Sequence, residues 1–186
     1  MNITAILNII GHVMKYEIIL LLIPFFVALF YGQGDAFLYT VLLMIPIALI
    51  LIKIKGKKNE IYAKEGFLTV GLAWIVISFF GALPFVFSGA IPSLVDAFFE
   101  TSSGFTTTGA SILTEIQSLP KGILFWRSFT HWVGGMGFLI FILALMPTFS
   151  GNTIHLLKAE SPGPTPGKIV PKIKQTAKIL YAIYFV

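Results

Sequence analysis

Between two long apolar stretches the chain reads Phe98-Phe99-Glu100-Thr101-Ser102-Ser103-Gly104-Phe105-Thr106-Thr107-Thr108-Gly109-Ala110. A helix-compatible run breaks here into a Thr-Thr-Thr-Gly segment. In lipid, backbone that leaves the helical state must be buried in protein or line a wet cavity. Backbone carbonyls in such a loop can replace the water shell of a cation. The segment therefore suggests an ion selectivity filter, against the plainer alternative of a Thr/Gly-rich turn that only reverses the chain.

Composition sets the surroundings of that loop. Of the 186 residues, 56% are hydrophobic and 11% charged. A soluble domain carries about 25% charged residues, so the chain reads as an all-α membrane protein. Several apolar runs approach the roughly 20 residues of a spanning helix. The absence of cysteine excludes disulfides and thiolate metal sites. The net charge of +5 resembles a nucleic-acid cue, but the lysines cluster in two hydrophilic loops. They read as membrane orientation, with lipid rather than nucleic acid as the partner. The first ten residues contain no basic side chain, and no small-residue cleavage site follows the apolar run 18–30. That run is expected to be a retained helix rather than a signal peptide.

Hydropathy and breakers divide the chain. An N-terminal transmembrane hairpin is expected over 1–52, with helices at about 4–31 and 36–52 and a turn at 31–35. Lys15 and Glu17 are placed near a membrane interface. A basic loop follows at 53–65. A membrane–pore–membrane unit covers 66–149: a helix at 66–87, a pore helix at 93–103, a filter at 106–110, a polar stretch to 120 and a helix at 121–149. The pore helix opens with Ser93-Leu94-Val95-Asp96, a capping pattern with an acid in the first turn. A Pro/Gly-rich linker spans 150–174, and a further helix starts over 175–186.

Lysine placement orients these segments. Lys53, Lys55, Lys57, Lys58 and Lys64 lie in one loop; Lys158, Lys168, Lys172, Lys174 and Lys178 lie in the other region. Positive-inside reasoning puts both in the cytoplasm. An even number of crossings must separate them, and the helices at 66–87 and 121–149 supply two. The intervening segment is too short to span, so it is expected to dip in as a re-entrant pore helix and return through the filter loop.

A pore helix ending near Ser103 turns the negative end of its dipole toward the loop, which favours a cation. Gly104 and Gly109 permit backbone angles that other residues resist. Arg127 lies roughly 9 Å into its helix at ~1.5 Å per residue, and Glu100 lies near the end of the dipping segment. Because intramembrane charges usually pair, a structural ion pair between Glu100 and Arg127 is expected. The alternative is that Glu100 attracts cations. Gly134, Gly135 and Gly137 permit close helix packing, or form a hinge. His12, His131 and His155 lack metal-ligand spacing. The run Gly163-Pro164-Thr165-Pro166-Gly167-Lys168 is one residue short of a phosphate loop and is rejected.

At Asp96-Ala97-Phe98-Phe99-Glu100, Thr106-Thr107-Thr108-Gly109-Ala110 and Phe125-Trp126-Arg127-Ser128, the chain resembles the Trk-type potassium uptake proteins of the Trk/Ktr/HKT superfamily. The resemblance continues through Trp132-Val133-Gly134-Gly135-Met136-Gly137 and Ala159-Glu160-Ser161-Pro162-Gly163-Pro164. It implies four membrane–pore–membrane units in one chain, each giving a quarter of a filter, with only the first unit present here. Thr106, Thr107, Thr108 and Gly109 match the first filter strand, and Thr107 and Thr108 are the leading candidates for carbonyls that bind K+. The implied protein is a multi-pass, potassium-transporting homodimer of the inner (plasma) membrane. It would work with a cytosolic nucleotide-binding regulatory subunit, and the two basic loops are candidate contacts. Passage would be passive or gradient-coupled.

Two other classes stay open at this level. One is a membrane-embedded enzyme using His131, Arg127 and Glu100. The other is a non-transporting membrane scaffold in which the Thr/Gly loop is a plain turn.

Overall fold

In the computed structural model the described residues are 2–54, 63–135 and 137. They form five α-helices and one short 3-10 turn: α1 (Ile3–Phe30), α2 (Asp35–Lys53), α3 (Ala63–Phe87), α4 (Leu94–Phe105), the turn Ile116–Ser118, and α5 (Lys121–Gly135). No strand occurs among the described residues. The described residues are thus all-helical in their regular structure, and α1, α2 and residues 64–87 of α3 are long and apolar enough to cross a membrane. At ~1.5 Å per residue, the 28 residues of α1 extend ~42 Å, more than the ~30 Å hydrocarbon core. The basic loop at 55–62, residues 138–149 of the expected last helix, the linker 150–174 and the helix start at 175–186 lie outside the described residues.

Local chemistry sets the helix ends. The Asn2 side chain accepts from Ala5 N–H and opens α1, satisfying one of the donors left free at a helix start. The Ser93 hydroxyl does the same for Asp96 N–H at α4. Gly32, at φ 68°, lets the chain leave α1 within a tight turn. Pro24, Pro46 and Pro84 lie inside α1, α2 and α3. Each removes a backbone donor, which membrane helices tolerate when neighbouring groups compensate.

Contacts at both ends fix how the helices pack. Gly11 of α1 lies against Leu51 and Ile52 of α2, and Asn8 donates its side-chain amide to Ile52 O at 2.7 Å. At the other end, Gly34 lies against Phe25 and Leu29. The hairpin is therefore antiparallel. Asn2 N–H donates to Glu65 Oε1 at 2.6 Å, so α3 starts beside the start of α1. Gly122 of α5 lies against Ala28, so α5 starts beside the end of α1. Apolar side chains from all these helices, including Leu21, Phe37, Ile77 and Trp126, fill one continuous core.

Glu17 departs from its expected interfacial position. It lies mid-helix and fully buried against protein. Of the expected last helix, the described part is α5 to Gly135, beyond which Gly137 at φ 74° donates its N–H to Gly134 O at 2.8 Å and interrupts the helical backbone. A glycine in the left-handed region is a common way to end a helix.

Trp126 ties α5 to α3. Its ring is 1% exposed and its Nε1–H donates to the Gly81 carbonyl at 2.8 Å. Trp126→Phe removes that donor and part of the ring. The expected loss is about 1–3 kcal/mol, read as a lower melting temperature in detergent micelles.

Candidate functional site: the loop after α4

The site begins where α4 is held from both sides. Gly81 of α3 leaves room for Thr101, Phe105 and Trp126, each within 3.3 Å of where a Cβ would stand. On the α5 side, a Cβ on Gly104 would run into the Thr130 hydroxyl, and one on Gly134 would run into the Phe105 carbonyl. Missing side chains thus seat the end of α4 between α3 and α5, the close approach that small residues allow in membrane helices. Ala97, Glu100, Thr101, Ser103, Gly104 and Phe105 are buried, whereas Val95 and Phe99 are exposed.

From this buried end the chain emerges into residues 106–112, all exposed. The first turn of the loop is wound tightly: Thr106 N–H donates to Ser102 O, Thr107 N–H to Gly104 O and Thr108 N–H to Ser103 O. Thr107 sits at φ 55° and Gly109 at φ 78°. Positive φ is ordinary for glycine but an outlier for a β-branched residue. Such outliers persist only when surrounding structure over-determines them, and they cluster at functional sites. Here the Thr107 hydroxyl donates to Thr106 O at 2.7 Å, and the Thr106 and Thr108 hydroxyls lie 2.8 Å apart.

The carbonyls divide by use. Thr106 O accepts the Thr107 hydroxyl, and Ala110 O accepts the Ser103 hydroxyl at 2.6 Å. Between them, the carbonyls of Thr107, Thr108 and Gly109 accept no hydrogen bond from the described residues. Among the described residues, three consecutive backbone oxygens are therefore without a donor at the end of a helix whose dipole favours positive charge nearby.

The far side of the loop is held by one carboxylate. Glu100 is 2% exposed. Its Oε1 accepts Arg127 Nε–H at 2.7 Å, its Oε2 accepts Ile112 N–H at 3.1 Å, and the Ser111 hydroxyl lies 3.0 Å from both oxygens. The structure thus brings together Glu100 and Arg127 and adds Ser111 and Ile112 to them. Charge-assisted bonds of this kind are the strong ones. His131 is not part of the cluster: its Nδ1 lies 3.0 Å from the Arg127 carbonyl oxygen.

Of the three expected packing glycines, Gly134 meets the α4 backbone, Gly135 is exposed and Gly137 forms the turn beyond α5. Sequence reasoning assigned no site role to Ser111 and Thr130, polar side chains beside apolar runs, and none to Ser103 or Trp126 beyond the end of the pore helix and the Phe-Trp-Arg-Ser resemblance. Among the described residues no cluster of His, Asp and Glu could hold a metal ion.

Comparison with known proteins bears on the family of the chain as a whole. A family model described as a cation transport protein, TrkH, matches residues 34–186. The chain is 42% identical to the Trk system potassium uptake proteins TrkH of Salmonella typhimurium and Escherichia coli K12, over 99% of its own length and 39% of theirs. It is 33% identical to an uncharacterized cation transporter of Methanocaldococcus jannaschii, over 98% of this chain and 38% of that one. No solved structure matches. The chain thus spans about two fifths of the length of the curated relatives it matches. Its long apolar helices make it a multi-pass protein of the cell membrane. With the family model covering most of its length, the chain belongs to the TrkH cation transport protein family.

Proposed function

We propose that this chain is the N-terminal part of a potassium uptake protein, and that residues 106–110 supply one strand of its selectivity filter. The observation that carries the reading is the run of carbonyls on Thr107, Thr108 and Gly109 that accept no hydrogen bond from the described residues, in an exposed loop after the buried end of α4. A dehydrated K+ needs several oxygens at once. One loop offers too few, so three further strands would complete the ring in the full-length protein. α4 is then the re-entrant pore helix, dipping from the outer side between α3 and α5. Thr106 contributes through its hydroxyl and its brace on the turn, since its carbonyl is occupied by Thr107.

In this reading Glu100 and Arg127 are positioning residues. They neutralise each other, and the carboxylate holds Ser111 and Ile112 so that the strand leaves the filter at a fixed angle. An unpaired Arg127 would repel the permeant ion. The reading is one of transport, not of bond-making chemistry. The word "system" in the relatives' names fits a protein that works with other components; the reading extends to a homodimer and a cytosolic nucleotide-binding regulatory subunit met by the two basic loops.

The test is potassium-dependent growth in a host lacking its own uptake systems, using the chain together with any sequence that follows Val186 in its gene. Gly109→Ser forces an L side chain into a left-handed conformation at roughly 1–2 kcal/mol. It is expected to cut the preference for K+ over Na+ by about tenfold, the equivalent of ~1.4 kcal/mol. Growth and ion preference indifferent to Gly109→Ser, at equal expression, would remove the filter assignment.

A further inference from the structure

One polar group in the membrane helices has no role in the filter. Glu17 is 0% exposed, and neither carboxylate oxygen has a hydrogen-bond partner. It lies near the middle of α1, with Val13, Met14, Leu20 and Leu21 buried around it on the same face. Ordinary practice in membrane helices is to pair such a group or to use it.

Among the described residues, no charged side chain faces it from the helices packed on α1. On α1 itself, Lys15 is exposed, and His12 and Tyr16 are only partly buried. α2 carries Asp35 and Lys53 at its ends, and the one titratable residue between them, Tyr39, is exposed. α3 carries Lys64, which is exposed, and Glu65, which accepts Asn2 N–H, both in its first turn. On α5, Lys121 is exposed, Arg127 is bonded to Glu100, and His131 pairs with the Arg127 carbonyl oxygen beside Gly104 of α4. Residues 138–149 contain no titratable side chain.

The surroundings select the ligand. An ionised carboxylate cannot stay in an apolar interior without a partner. A hard metal cation would need several oxygen ligands, and the side chains flanking Glu17 on its face are apolar. A proton needs only the carboxylate itself. We propose that Glu17 is a proton-binding site, occupied while α1 is packed against α2, α3 and α5. When α1 parts from its neighbours, the O–H bond breaks, the proton passes to water and a solvated carboxylate remains. Proton occupancy is thereby tied to the packing of α1 against its neighbours. This inference does not rest on the potassium reading, and its test does not use transport.

The experiment is infrared difference spectroscopy of the full-length protein in zwitterionic lipid nanodiscs at neutral pH, comparing wild type with the near-isosteric Glu17→Gln. A protonated-carboxyl band is expected in the wild type, missing from Glu17→Gln, shifted in Glu17→Asp and slow to move in D2O. Absence of the band from the wild type, or its persistence in Glu17→Gln, overturns the proposal. Wild-type protein alone provides a second arm should Glu17→Gln fail to fold. Alkaline loss of the band with faster amide exchange along α1 supports the proposal, and loss of the band with unchanged exchange overturns the link to packing.

Discussion

Glu100→Ala is expected to eliminate potassium-dependent growth and to destabilise the protein by about 3–5 kcal/mol, the usual consequence of removing one partner of a buried ion pair. The carboxylate satisfies three groups at once: Arg127 Nε–H, the Ser111 hydroxyl and the Ile112 N–H. Its loss leaves a cation at 15% side-chain exposure without its partner and frees Ser111 and Ile112 beyond the loop. The effect on transport separates from the effect on folding in a double-mutant cycle. Glu100→Gln keeps an acceptor for Ser111 or Ile112 and loses the charge, while Arg127→Gln removes the other charge. If the pair acts as a unit, the double variant Glu100→Gln/Arg127→Gln loses less stability than the sum of the single ones. Melting temperatures in detergent provide that comparison. Strict additivity, together with uptake unchanged in Glu100→Gln, would deny the pair its positioning role.

Gly134→Val is expected to prevent the protein from accumulating in folded form. A Cβ at this position runs into the carbonyl oxygen, carbonyl carbon and Cα of Phe105. These are backbone atoms of α4 and cannot rotate aside as a side-chain tip does. Overpacking usually costs about 1–3 kcal/mol, and a clash with backbone at the seat of α4 should exceed that range. Gly71→Ala is the matched control: nothing lies within 4 Å of its Cβ position, and alanine is the better helix former by roughly 1 kcal/mol. Monodispersity and melting temperature after detergent extraction give the comparison. A Gly134→Val protein that extracts and melts like the wild type would show that α4 does not depend on this close approach.

The two expectations differ in how far the sequence supports them. That Glu100 and Arg127 meet could be read from the chain alone, because two opposite charges among apolar residues have few other ways to avoid isolation. That Ser111 and Ile112 join them could not, since their bonds depend on how the loop turns back across α4. Gly134 was legible as a packing residue, but its target was not: a Gly-Gly-x-Gly run states that something approaches closely, without naming the Phe105 carbonyl. Ser103 shows the same limit. Its hydroxyl reaches Ala110 O seven residues on, a contact with no local sequence signature.

Burial was least legible in the long helices. α1 and α3 are apolar nearly all round, so no stripe of polar residues marks an outward face. Glu17 reads as interfacial from its position after Lys15, and only the packing of α1 shows that it faces protein. The end of α5 is a related case. Apolar residues continue beyond Gly135 without a polar stop, and hydropathy alone gives no sign of the left-handed Gly137 that interrupts the helical backbone there.

The sequence by itself determined the class, three segments long and apolar enough to span, the short helix after them and the place where that helix gives way to loop. These follow from how lipid treats apolar length and unpaired backbone, which are properties of local composition. The tertiary structure alone decided which carbonyls of the loop are tied and which are free, what the Glu100 carboxylate holds, and which acid lies unpaired in the core. Each of these depends on the distance between atoms far apart in the chain, and that distance is set when the helices pack.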